Sequence, residues 1–414
     1  MTTLKHILSH MIKKFNKYLS YKNNFLYLEE ICLESIKLKF TTPIFCYSLS
    51  EIYDNFIELK KSFTKIKPMI CYAVKANNHN QILSLLSKSG CGADVVSKGE
   101  LQKSINNGIM PDKIVFSGVG KTTDEIKYAL KKRIKQLNVE SEEELEEIAE
   151  IAKAEKKNVN ICIRVNPDVD PKTHYKISTG RSEDKFGIPN SRIIKLFEKY
   201  KNNKYLKIVG LSIHIGSQIQ KIKPFETAFK KIKKQVESLR KLGFEISVLD
   251  LGGGIGIRYQ ENDRIINSKE YCLLIEKLFT NMKLEIIIEP GRSLVGSSGV
   301  LLSSVIRKKS GEKKDFIIID AGMNNLVRPA MYSARHEIFP VKRKNFKNKK
   351  YDFVGPICES ADIFIKNNPS QNLQKDDLVV ICSVGAYGAC MSSEYNLRGN
   401  IKEIFIKKNK IINE

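Results

Sequence analysis

From about residue 50 the chain alternates short apolar runs with longer stretches whose apolar positions recur every three to four residues. The short runs cover residues 69–76, 92–96, 113–117, 136–139, 160–166, 210–216, 248–251 and 284–289, eight in all. They are too short for amphipathic helices and read as buried strands. Between them, residues 81–88, 123–132, 142–156, 191–200, 224–241 and 268–279 read as helices. Several of these open on Ser, Thr or Asn, whose side-chain oxygens accept from the free amides of a first helical turn. Eight strands alternating with helices predict an α/β fold, a (β/α)8 TIM-like barrel, with a doubly wound open sheet as the alternative. Beyond residue 300 the helical period fades. Residues 316–320, 351–354, 377–383 and 401–407 read as strands separated by turns rich in Gly, Pro and Asn, a second and mainly β domain. The helix-poor segment 24–47 is placed to pair with it. The expected division is a basic N-terminal extension over 1–20, an N-terminal part of the β domain over 21–49, the barrel over 50–299, and the rest of the β domain over 300–414.

Composition changes little in this fold and narrows the setting. The chain has 414 residues, 42% of them hydrophobic and 28% charged, enough to bury a large core. No run approaches the ~18 apolar residues of a membrane span. Nine cysteines are scattered, mostly in apolar runs, with no CxxC pair and no metal-like His spacing, which points to a reduced, cytoplasmic setting without a bound metal. The first twenty residues lack acids and carry Lys5, Lys13, Lys14 and Lys17, but have no continuous apolar stretch and no Arg. They read as a flexible basic extension rather than a cleaved address. Seventy Lys and Arg against 46 Asp and Glu give a net charge of +24, a sign compatible with nucleic acid. The lysines, however, are spread over nearly every predicted helix. Only 341–350 is a dense basic run, which reads as a solvated loop, so neither nucleic acid nor membrane is expected as a partner.

Barrel enzymes carry their chemistry at the C-terminal ends of the strands. The first predicted strand ends Tyr72-Ala73-Val74-Lys75-Ala76-Asn77. Burial there would favour the free amine of Lys75, able to condense with a carbonyl, although a lysine snorkelling from a strand end is the plainer alternative. The sixth ends His214-Ile215-Gly216-Ser217, where a lone histidine is often a satisfied core residue. The seventh ends Gly252-Gly253-Gly254-Ile255-Gly256, either a tight turn or a backbone cradle for phosphate. The eighth ends Glu289-Pro290-Gly291-Arg292, a carboxylate beside a guanidinium suited to carboxylate or phosphate. Together these supply a Schiff-base lysine, a flat ring, a phosphate cradle and a carboxylate for a pyridine nitrogen. Those are the requirements for pyridoxal 5'-phosphate.

The set resembles the alanine racemase/ornithine decarboxylase-like barrel enzymes. Four later motifs narrow the resemblance: Asp320-Ala321-Gly322-Met323-Asn324, Arg328-Pro329-Ala330-Met331-Tyr332, Gly355-Pro356-Ile357-Cys358-Glu359-Ser360, and Gly385-Ala386-Tyr387-Gly388-Ala389. With the opening Tyr21-Lys22-Asn23 they resemble the diaminopimelate decarboxylases from about Tyr21 to near the C-terminus. The resemblance implies a carboxy-lyase that converts meso-2,6-diaminopimelate to L-lysine and carbon dioxide, the last step of lysine biosynthesis. It implies that Lys75 bonds the cofactor and His214 stacks on its ring. Ser217, Gly253, Gly254, Pro290 and the Gly291-Arg292 backbone would hold the cofactor with Tyr387, and Glu289 would pair with the ring nitrogen. Arg292, Arg328, Tyr332 and Tyr387 would bind the substrate. Cys358 as proton donor and Glu359 toward the distal amino group would reach into a partner's site, which implies a homodimer with shared active sites.

Four positions depart from the expected pattern. Lys98 stands where glycine is usual, Asn325 where aspartate is usual, Thr173-His174-Tyr175-Lys176 lacks a proline, and Arg398-Gly399 replaces Arg-Pro. None removes a chemical group named above. The alternatives are a decarboxylase of ornithine, arginine or carboxynorspermidine, against which the Arg328 and Cys358 motifs speak, and a non-catalytic regulatory relative. The latter would be expected to have lost Lys75 or Cys358.

Overall fold

The computed structural model describes residues 11–171, 173–177, 179–181, 183–344 and 349–412. The chain forms two compact units, one of Phe56–Gly256 with Ile265–Ser293, the other of Met1–Asn55, Ile257–Arg264 and Leu294–Glu414.

The first unit is a closed barrel of eight parallel strands: β1 (Met69–Ala73), β2 (Gly92–Val95), β3 (Ile114–Phe116), β4 (Gln136–Val139), β5 (Val159–Asn166), β6 (Leu206–Ser212), β7 (Val248–Asp250) and β8 (Glu285–Ile288). Each pairs with its neighbours, and β8 returns to β1 with Ile287 opposite Met69, so no edge is left open. All eight predicted strands are present, and closure decides for the barrel over the open sheet. Cys71, Val115, Cys162, Val209, Val248 and Ile287 pack together as one apolar layer. Helices follow the strands because their sequences fit them. In Ile222–Lys241 the buried Phe225, Ala228, Phe229, Ile232, Val236 and Leu239 recur at helical spacing, giving one apolar face. Ser97, Thr122, Ser141 and Asn267 each cap a helix by accepting an amide of its first turn.

The second unit is built on the long strand Gly299–Ser310, which pairs antiparallel with Ile44–Ser48, Asp315–Ile319 and Leu378–Ile381. Ile44–Ser48 also pairs in parallel with Lys402–Lys407. Of the N-terminal segment, Ile44–Ser48 lies inside this sheet, while Leu19–Lys22, Phe25–Leu28 and Ile31–Cys32 form a small sheet of their own.

Three segments differ from expectation. Residues 11–20 are no loose extension: Ile12, Phe15 and Leu19 are fully buried in one cluster with Leu26, Ile44, Val300 and Leu302. Their spacing of three to four is an apolar stripe, which the interleaved lysines obscure in the sequence; residues 1–10 lie outside the described residues. Residues 257–264 belong to the β unit rather than the barrel, where the Ser383 hydroxyl donates to the Arg258 carbonyl at 2.8 Å. In the basic run 341–350, Val341 is buried and its amide donates to Leu378 O at 2.8 Å, while Lys349 opens a strand; 345–348 lie outside the described residues. Among the described residues no helix is long and apolar enough to cross a membrane.

Deleting residues 1–20 should therefore destabilise the protein rather than trim it. Three fully buried large side chains are lost, each contributing roughly 1.5–3 kcal/mol. Urea unfolding should show a midpoint well below that of the full chain; an unchanged midpoint would mean the segment contributes nothing to the core.

Candidate active site

In the barrel unit the functional groups lie where the strands end. β1 stops at Ala73 and runs into a single 3-10 turn, Val74–Ala76, that carries Lys75. Ala73 is in register with Asp94 on β2, so Lys75 meets Asp94 as an ion pair. Asp94 is fully buried, and its Oδ1 has no hydrogen-bond partner. An acceptor left in that state within the barrel is costly unless something else occupies it.

β7 ends at Asp250, opposite Ile287, and β8 leads into Glu289. Both carboxyls are buried. Asn138, on β4, sits between them and donates from Nδ2 to Asp250 Oδ2 at 2.9 Å and to Glu289 Oε1 at 3.3 Å, while Gln136 Nε2 donates to its Oδ1 at 2.8 Å. Ser117 Oγ lies 3.0 Å from Asn138 Nδ2 and 3.4 Å from Glu289 Oε1. Burial, followed by the negative charges of Asp250 and Asp94, pushes the Glu289 carboxyl well above the usual carboxylate range. Asp250 is also raised by burial, against which the amides donated to it act. Two buried carboxyls that share the Asn138 donor oppose each other's ionisation, and Glu289 is the more strongly raised of the two.

His214 accepts at Nδ1 from the Gly253 amide at 3.2 Å, which leaves the proton on Nε2. Burial, then the charges of Arg164 and Lys75, hold the imidazole well below its ordinary value, so the ring is neutral. Its carbonyl is anchored by Thr179 Oγ1 at 3.1 Å and Arg164 at 3.4 Å, and Arg164 in turn pairs with buried Glu140 at 2.6 Å. Ser217 Oγ accepts from Arg292, which is buried, at 3.0 Å. The glycines after β7 allow the loop to press against β8. A Cβ on Gly253 would lie 2.1 Å from the Glu289 carbonyl, and Gly254 has φ +111°. The Gly253 amide is engaged by His214 and the Gly252 amide by Asp250 at 3.0 Å, so these two hold side chains of the site in place. Pro290 contributes its carbonyl, which accepts from Ala73 N at 3.1 Å.

The β unit carries the remaining expected residues. Arg328 is buried, stacks its guanidinium over Tyr259 at 4.3 Å and donates to His336 Nε2 at 2.9 Å; His336 Nδ1 donates to the Cys382 carbonyl at 2.8 Å. These contacts fix the direction of the guanidinium. Tyr332 closes the short helix Arg328–Tyr332, and Tyr387 holds a positive φ of 55°. Cys358 and Glu359 are exposed on a loop pinned by buried Asp362, which accepts from Met323 N and Ile357 N, both at 2.7 Å. Asn396 accepts the Cys358 amide at 3.2 Å, and Tyr395 donates to Glu359 at 2.7 Å. Of the departures, Asn325 still supplies an acceptor, to Gly322 N at 3.0 Å, and Lys98 follows the cap residue Ser97 and pairs with Asp124 at 2.6 Å.

A family profile described as the pyridoxal-dependent decarboxylase, pyridoxal binding domain, matches residues 49–296. The diaminopimelate decarboxylase of Aquifex aeolicus is 41% identical over 97% of this chain and 95% of its own length. The chain belongs to the diaminopimelate decarboxylase family. Among solved structures of the family, that from Helicobacter pylori complexed with L-lysine superposes with a TM-score of 0.88 at 41% identity, covering 92% of this chain and 95% of the other. The M. jannaschii decarboxylase in complex with L-lysine gives a TM-score of 0.91 at 36% identity, over 96% and 94%.

The family's cofactor, pyridoxal phosphate, fits the residues present. The barrel supplies an amine beside a buried carboxylate with an unused oxygen, a neutral flat ring, the Ser217 hydroxyl for phosphate, and a buried carboxyl whose charged form is disfavoured. Sequence reasoning missed Asp94, Asp250, Asn138 and Ser117. The signal was there for two of them, since an acid inside or at the end of an apolar strand is what singled out Glu289.

Proposed function

We propose that this chain decarboxylates meso-2,6-diaminopimelate at its D-centre, releasing L-lysine and carbon dioxide, as a cytoplasmic homodimer. The observation that carries the reading is the placement of Lys75 and Glu289 on adjoining strand ends of one barrel, near enough that the lysine charge acts on the buried carboxyl. Bound pyridoxal phosphate supplies a conjugated ring that takes up the electron pair left when a carboxylate departs.

The residues divide the remaining work. Lys75 would supply the amine that holds the cofactor, and Asp94 holds that amine in place. Neutral His214 offers a flat face without competing for a proton. Glu289 keeps a proton where the ring nitrogen requires one, which is the condition for the ring to accept electrons. Arg292, Arg328, Tyr332 and Tyr387 bind substrate; a buried guanidinium facing a distal carboxylate gains no charge-assisted bond from a substrate without that group, which disfavours ornithine. Cys358 returns a proton to the α-carbon, and Glu359 meets the distal amino group, both acting on the site of a partner subunit. L-lysine in the related H. pylori and M. jannaschii structures accords with lysine as product.

The direct test incubates purified protein and pyridoxal phosphate with meso-diaminopimelate and, separately, ornithine and arginine. Lysine should form from the first alone. A normal cofactor absorption band without lysine would refute the substrate while leaving the fold untouched.

A further inference from the structure

The proposed role of Glu289 needs only one carboxylate, yet a second, Asp250, lies beside it on the neighbouring strand. Asp250 is fully buried at the end of β7. The Gly252 amide donates to its Oδ1 at 3.0 Å and Asn138 Nδ2 to its Oδ2 at 2.9 Å. Those two donors stabilise the charged form. The same Asn138 nitrogen reaches Glu289, and its amide cannot flip, because Gln136 holds the opposite end. Ser117 lies within 3.4 Å of Glu289, and Asp250 and Glu289 share one donor nitrogen. The charges of Lys75, after β1, and of Asp94, on β2, act on Glu289, and the buried thiols of Cys71 and Cys162 and the phenol of Tyr271 feel the charge of Asp250.

We infer that Asp250 is a positioning residue acting through Glu289: the two carboxyls share a single proton, Asn138 fixes both, and the Asp250 anion keeps that proton on Glu289. The inference rests on the assignment of Glu289 to a ring nitrogen and explains how that assignment works. A basic nitrogen arriving at Glu289 meets a carboxylic acid. The Glu289 O–H bond breaks, an N–H bond forms, and the resulting cation lies near two anions rather than one. Direction of charge agrees, because burial and then the charge of Asp250 are the leading causes that raise Glu289.

The test titrates the full-length protein by infrared difference spectroscopy, before and after cofactor binding, with the Glu289 carboxyl band assigned by its disappearance in Glu289→Gln. In the cofactor-free chain the protonated band should persist to a pH well above that of ordinary carboxyls. Asp250→Asn should lower its midpoint by at least about one pH unit, a tenfold loss of proton affinity. Asn138→Ala, which keeps both acids and removes the donor shared by both carboxyls, makes the doubly ionised pair harder to form and should move the midpoint upward. Opposite shifts in two variants are not produced by a general loosening of the barrel, and the second keeps the inference open to refutation should the first fail to fold. No protonated band in the unaltered protein, or no shift in either variant, overturns it. Because the titration needs no turnover, a protein that made no lysine would still give this result. Conversely, lysine formation with a flat titration would leave the decarboxylase reading standing and the shared proton refuted.

Discussion

Lys75→Ala should leave a folded protein that makes no measurable lysine, a loss of roughly 10³-fold or more, at the upper end of what one positioned reacting group contributes. Two functions of the side chain could produce that loss, and the structure separates them. Lys75 balances the buried Asp94 charge, and in the proposed function it carries the amine that bonds the cofactor. Removing it leaves Asp94 buried without its cation, which lowers stability; the Lys75 side chain is 38% exposed, so water offsets part of that cost. Lys75→Arg restores the positive charge but not the reactive amine, since a guanidinium stays protonated in proteins. Arg should therefore recover most of the unfolding midpoint lost in Ala while remaining equally inactive and lacking the visible band of the bound cofactor. Substantial lysine formation by Lys75→Arg would show that the residue acts through charge alone.

Cys358→Ala should cost about 10²- to 10⁴-fold in kcat, the range for a lost proton donor, with little change in cofactor binding. The thiol is exposed in this chain, on a loop held by Asp362 and Asn396 rather than by apolar packing, so alanine should not disturb the fold. Its proposed place in a partner's site yields a second, sharper outcome. When Lys75→Ala and Cys358→Ala chains are mixed in equal amounts and reassort at random, about half the dimers contain one of each. In those, one of the two sites holds both replacements and the other holds neither. Activity should return to about a quarter of the unaltered enzyme. Proven heterodimers without recovered activity would mean that both residues serve a site within one chain.

Much of this molecule is legible in its sequence because burial leaves a local trace. The barrel strands are mainly apolar runs, since a strand covered on both faces has no solvent side to show, and the few polar residues in them, such as Asp94 and Asn138, stand out against that background. The helices declare themselves by stripe and cap, as Thr122 and Glu125 do with reciprocal hydrogen bonds. Lys75 and Glu289 stand out as charges at the ends of such runs. The N-terminal stripe of Ile12, Phe15 and Leu19 was equally local but hidden among lysines, whose number suggested a solvated tail.

Other features have no local trace. That the Gly253 amide serves His214 depends on two loops from different strands coming together, and a glycine run alone reads as well for a phosphate as for a turn. Asn138 looks like any polar residue in a strand until Asp250 and Glu289 arrive on either side of it. By itself the sequence determined the strands and the helices and supplied the candidate reacting groups, because those follow from side-chain chemistry and short-range periodicity. Only the tertiary structure decided which groups share charge. The register of parallel strands brings β7 beside β8 and seals both acids from water, and it is that shared burial, not either residue's chemistry, that leaves one proton between them.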